Sequence, residues 1–133
     1  NMLYFAEDQQ ESIVPATFSR PFGQGSVALL NACGSGKPTA LGFVEKLNQR
    51  GVDSIVATAL EVEPALAADF TYCMALQIDN VKQSTPIGML FDNAVACLSA
   101  LDNGTHGVRS YSYTLLGSRA PTICPHPKAE QCR

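Results

Sequence analysis

The sequence predicts an α/β domain: a mostly parallel sheet flanked by helices. Three observations point to it. A strand, a helix and a second strand follow one another between Ser26 and Ala59, and about thirty residues is the length of a parallel crossover unit. Two segments that begin near Pro64 and Pro86 then space their apolar residues as helices do. An alternating run from Tyr111 to Leu116 supplies a closing strand. The 133 residues suffice for one domain with a core.

Each element has its own signals. Met2 to Phe5 is a short apolar run, read as a strand. Glu7 to Gly25 is polar, contains two prolines and two glycines, and reads as a long surface loop. Ser26 to Asn31 is a second apolar strand, which runs into Gly34-Ser35-Gly36 and Pro38 and so ends in a tight turn. Thr39 opens a helix whose stripe is Ala40, Phe43, Val44 and Leu47, with Gly51 as its C-terminal stop. Ser54 to Ala59 is a third strand. Pro64 suits a first helical turn, followed by Leu66, Phe70, Met74 and Ile78 at four-residue intervals. Pro86 starts another helix, with Leu90, Ala94, Val95 and Leu98 on one face and Gly104 and Gly107 closing it. In the last strand Tyr111, Tyr113 and Leu115 alternate with Ser112 and Thr114. From Ala120 onward Pro, Lys and Glu dominate, which predicts a flexible tail over 120–133.

Composition narrows the function. Apolar residues make up 46% of the chain and charged residues 16%, which is globular. Net charge is −3 with no basic cluster, which argues against nucleic-acid partners. No run approaches the roughly 18 apolar residues that span a bilayer. Five cysteines without a secretory signal do not predict a disulfide framework. A reducing, cytoplasmic compartment is therefore expected, with Cys73 and Cys97 as small core thiols. The chain starts at Asn1, so the expectation is that it begins inside a longer reading frame or after a cut.

Cys33 is the candidate for chemistry. It stands just past a strand's carboxyl end, where sites in open α/β sheets collect. Small neighbours leave its backbone N–H free to approach an oxyanion. The helix opening near Thr39 turns its positive end toward this region, which favours a thiolate. Two other readings compete. A cysteine in an apolar strand is commonly an inert core residue. Gly34-Ser35-Gly36-Lys37 after a strand also suggests a phosphate loop, but Asn31 stands where its first glycine belongs and Pro38 where its Ser or Thr belongs. Glu61 and Glu63 flank Val62 at the end of the third strand and so share a face. They read as a solvated pair or as part of a substrate pocket that selects basic side chains. Cys124, His126 and Cys132 offer three soft ligands, yet their spacing matches no common zinc pattern. No metal and no cofactor is expected.

The run Leu29-Leu30-Asn31-Ala32-Cys33-Gly34-Ser35-Gly36 resembles the catalytic-cysteine block of CHAT domains, caspase-like peptidases related to separases and gingipains. Further pieces resemble the family in order. These are Leu47 to Gly51 as a helix end, Val52 to Thr58 as the next strand, Val62-Glu63-Pro64 to Phe70 as a helix entry, and Tyr113 to Gly117 as the closing strand. The likeness covers Ser26 to Ser118. It implies a caspase-like three-layer sandwich over 1–119 and a cysteine endopeptidase working through a Cys–His dyad. Cys33 would be the nucleophile, with Gly34 and Asn31 supporting the oxyanion and the turn.

The family's histidine lies in a His-Gly turn on the strand before the cysteine strand, and no histidine precedes Cys33 here. His106 and His126 fall downstream, as surface turn and tail residues. The expectation is that the dyad histidine lies upstream of Asn1, that Met2 to Phe5 is an edge strand following that turn, and that the chain alone is inactive. The resemblance further implies a protein or peptide substrate and an upstream helical-repeat or sensor region of the same protein as partner. The alternatives are an inactive caspase-like interaction or regulatory module and a small phosphate- or nucleotide-binding domain.

Overall fold

A computed structural model of the chain describes residues 3–4, 12–13, 21–31, 41–101 and 109–124. The elements in order are β1 (Leu3–Tyr4), β2 (Ser12–Ile13), β3 (Ser26–Leu30), α1 (Leu41–Gln49), β4 (Val52–Thr58), α2 (Pro64–Asp79), β5 (Thr85–Pro86), α3 (Ile87–Leu101), a 3₁₀ turn (Arg109–Ser112), β6 (Tyr113–Gly117) and β7 (Thr122–Ile123). This is a small mixed α/β domain.

The expected crossover unit is present. β3 and β4 pair in parallel through Ala28↔Ile55, Leu29↔Val56 and Leu30↔Ala57, with α1 between them in sequence. β4 is the middle strand of the order β3-β4-β6, and Ile55, Val56 and Ala57 are fully buried. A strand covered on both faces can be apolar without alternation, which is why this run reads so plainly. Its two faces feed separate cores. Ile55 and Ala57 meet Val44 and Leu47 of α1, with Ala28, Leu30 and Leu116 at the margin. Val56 meets Leu66, Phe70 and Met74 of α2, Leu90, Ala94 and Leu98 of α3, and Tyr113. Helices therefore cover both faces of the three-stranded sheet.

Gly51 ends α1 in the left-handed region at φ 94°. A Cβ there would stand 2.9 Å from the Phe22 carbonyl oxygen, and the Phe22 N–H donates to the Arg50 carbonyl at 2.6 Å. The stop signal read from the sequence thus also admits the chain that leads into β3.

Several expectations need correction. The sheet is mixed, because β6 runs antiparallel to β4 through Thr58↔Tyr113 and Val56↔Leu115. Tyr111 does not belong to β6: it sits in the 3₁₀ turn and is 79% exposed. The run at Leu3–Tyr4 is not an edge of the main sheet. It pairs antiparallel with Ser12–Ile13, inside the stretch expected to be loop. Ile78 drops out of the α2 core stripe, at 44% exposure. Four-residue steps advance about 40° each on a helix with 3.6 residues per turn, so the fourth member has rotated away. The expected tail begins with ordered structure, since Thr122–Ile123 pairs with Thr85–Pro86 and the Ile87 N–H donates to the Pro121 carbonyl.

Cys73 and Cys97 are not free thiols. α2 and α3 pack so closely that their Cα atoms are 5.8 Å apart, within disulfide range, and the sulfurs are bonded. Cys124 is also disulfide-bonded. Among the described residues, no helix is long and apolar enough to cross a membrane.

Candidate functional site: the carboxyl edge of the parallel pair

β3 and β4 run in the same direction, so their carboxyl ends lie at one edge of the sheet. β3 delivers Asn31 to this edge, and β4 delivers the connection that carries Glu61, Val62 and Glu63. Cys33 and Gly34, the expected nucleophile and its turn glycine, lie outside the described residues. So do His106, His126, Lys37, Pro38 and Cys132.

Asn31 is held from three directions. Its Nδ2 donates to the Ala67 carbonyl at 2.8 Å and to Thr71 Oγ1 at 2.7 Å, both on α2. Its Oδ1 accepts from the Tyr113 hydroxyl at 2.9 Å, across the central strand. The Thr71 hydroxyl donates in turn to the Ala67 carbonyl at 2.8 Å. Both N–H groups of the Asn31 amide are thereby occupied, since an amide offers two. The side chain fastens the strand end and is not aimed at a reacting oxygen. Its expected part in supporting the turn is indirect: it sets where the chain leaves β3, two residues before Cys33.

Tyr113 is the hinge pin of this clamp. It is 5% exposed and its ring stacks on Phe70, with centroids 3.6 Å apart and planes 10° apart. Phe70 meets Phe91 of α3 edge-on at 6.3 Å. A buried tyrosine needs a partner for its hydroxyl, and Asn31 supplies it. The chain of contacts joins β3, β6, α2 and α3 around the strand end.

Glu61 and Glu63 are exposed and Val62 is buried at 9%, so the two acids do share a side of the chain. They do so outside any strand, because β4 ends at Thr58. Glu63 is the N-cap of α2 in extended backbone, and its carbonyl accepts the Ala67 N–H at 3.0 Å, with Pro64 in the first helical turn. Ala67 therefore links Glu63 to Asn31, and the two expected site regions meet at the first turns of α2.

Sequence reasoning missed Tyr113, Thr71 and Phe70. The available signal was a tyrosine on the inward face of an alternating strand. Its partner lies 82 residues away and has no local signature. Two further acids are paired away from this edge. Asp53 accepts the Gly25 N–H at 2.5 Å, and Asp92 pairs with Arg119. Cys124 is bonded to sulfur, which removes it from the weighed metal set. No group of three His, Cys, Asp or Glu residues that could hold a metal occurs among the described residues.

Comparison of the chain with protein-family models, with curated proteins and with solved structures finds no significant match.

Proposed function

We propose that the chain is part of a caspase-like cysteine peptidase domain of the CHAT type, with Cys33 as nucleophile. The observation that carries this reading is the fastened end of β3. Asn31 is fixed to α2 and β6 at the carboxyl edge of a parallel pair, and the next residues are Ala32 and Cys33. Open α/β sheets place their chemistry at such edges, and a nucleophile gains from a rigid approach. The helices on both faces of the sheet are compatible with the expected sandwich.

In this reading the Cys33 thiolate attacks the scissile carbonyl after a histidine has taken its proton. An acyl-enzyme forms as the amine leaves with a proton from that histidine, and water then releases the acid. Glu61 and Glu63, exposed beside the first turn of α2, favour substrates with basic side chains.

The test is the alkylation rate of Cys33 by iodoacetamide, located by peptide mass mapping, in the folded chain and in the same chain in urea. Faster reaction in the folded state supports the nucleophile. Equal or slower reaction, persisting when a dyad histidine is supplied, sinks it. With a dyad histidine supplied, the domain is expected to cleave peptides after Lys or Arg, and Cys33→Ala is expected to abolish this.

A second reading, an inactive interaction module of the same fold, is favoured by the apolar outer face of α2. The Cys73–Cys97 bond, with Cys73 fully and Cys97 partly buried, supports maturation in an oxidising compartment as an alternative to the cytoplasm expected from the sequence.

A further inference from the structure

α2 is apolar on two opposite sides. Its inner stripe, Leu66, Phe70, Cys73 and Met74, is buried. Its outer stripe, Ala65, Ala68, Tyr72, Ala75 and Leu76, is exposed, with Tyr72 at 57% and Leu76 at 38%. A helix that is apolar all round is ordinarily covered all round. Positions 65, 68, 72, 75 and 79 alternate in steps of three and four, the spacing of a helix-packing seam. Tyr72, Ala75, Leu76, Ile78 and Asp79 line a cavity of 520 Å³ along this face.

We propose that this face docks a basic amphipathic helix of a partner protein. The partner's apolar side chains enter beside Tyr72 and Leu76, and its Lys or Arg meets Asp79. The alanines let a second backbone come close. The charges choose the partner's sign: Asp79 lines the groove, α2 contains no basic residue, and the whole chain carries −3. A second copy fits poorly, because its own α2 brings only acids to the seam. An anionic membrane is repelled by Asp79 and by the net negative charge. This inference does not depend on the chemistry of Cys33.

The test titrates the intact chain with two labelled 18-residue helical peptides that share a leucine stripe. One carries Lys at the flanking positions and the other Glu. Fluorescence anisotropy reports binding, and amide chemical shifts report its location. The Lys peptide is expected to bind at micromolar concentration, with shifts confined to residues 65–79. Leu76→Glu is expected to weaken it at least tenfold without changing the melting temperature. Asp79→Lys is expected to reverse the preference toward the Glu peptide. Equal binding of both peptides, or binding of neither, overturns the proposal. Self-association in sedimentation that Leu76→Glu abolishes overturns it in favour of a second copy. Capture by phosphatidylserine vesicles with the same sensitivity overturns it in favour of a membrane.

Discussion

Reducing the Cys73–Cys97 bond is expected to cost the domain a large share of its stability. The two cysteines are 24 residues apart, and closing a loop of that length removes unfolded-chain entropy worth about 3.5 kcal/mol at 25 °C. Small domains have only about 5–15 kcal/mol in total. Cys73 is fully buried between α2 and α3, so its thiol form also loses a packed contact. The assay is urea unfolding of one preparation with and without dithiothreitol, followed by circular dichroism. A drop of about 3 kcal/mol, or on the order of 10 °C in the melting temperature, is the expected result. The Cys73→Ala/Cys97→Ala variant is expected to start lower, and its response to reductant measures the share that belongs to the bond at Cys124. The reasoning fails if unreduced protein alkylates at both Cys73 and Cys97 after unfolding, or if the reductant shift of the intact chain exceeds that of the variant by less than the equivalent of about 1 kcal/mol.

Five further substitutions probe the framework. Tyr113→Phe removes the donor to Asn31 Oδ1 and is expected to cost about 1–2 kcal/mol. Asn31→Ala removes that bond together with the two to Ala67 and Thr71 and is expected to cost about 2–3 kcal/mol, both read by urea denaturation. The reverse order would show that the clamp is misassigned. Gly117 has φ 87°, and a Cβ there would collide with the Asp53 carbonyl. Gly117→Ala is therefore expected to cost about 2–4 kcal/mol, whereas Gly25→Ala, at φ 76° with open space, costs only about 1 kcal/mol by thermal melting. Asp92→Asn breaks a pair whose side chains are 64% and 53% exposed, and less than about 0.5 kcal/mol is expected by the same method.

The parts of the fold legible in the sequence were those governed by local rules. The run Val52 to Thr58 announces a central strand because both its faces are covered, and Gly51 and Pro64 mark helix limits because backbone geometry demands them. The direction of β6 was not legible. A pattern of alternation fixes which residues face inward, and it is the same whichever way the strand runs. The disulfide was equally hidden. Cysteine spacing within two apolar helices does not encode how those helices cross. At the candidate site, Asn31 and the exposed acids were visible as residue types next to a turn. The role of Asn31 was not, because it depends on Tyr113 and Thr71, which reach it only through the assembled sheet and α2.

The clamp between Asn31 and Tyr113 also orders events in time. Its two ends are separated by 82 residues, with β4, α2 and α3 between them. Contacts of such long range bear the full entropy of loop closure and form late in folding. A nascent chain that has emerged only through α3 can make the Asn31 bonds to Ala67 and Thr71 but lacks the Tyr113 hydroxyl. The strand end is therefore fastened in two stages, first to α2 and last to the closing strand of the sheet.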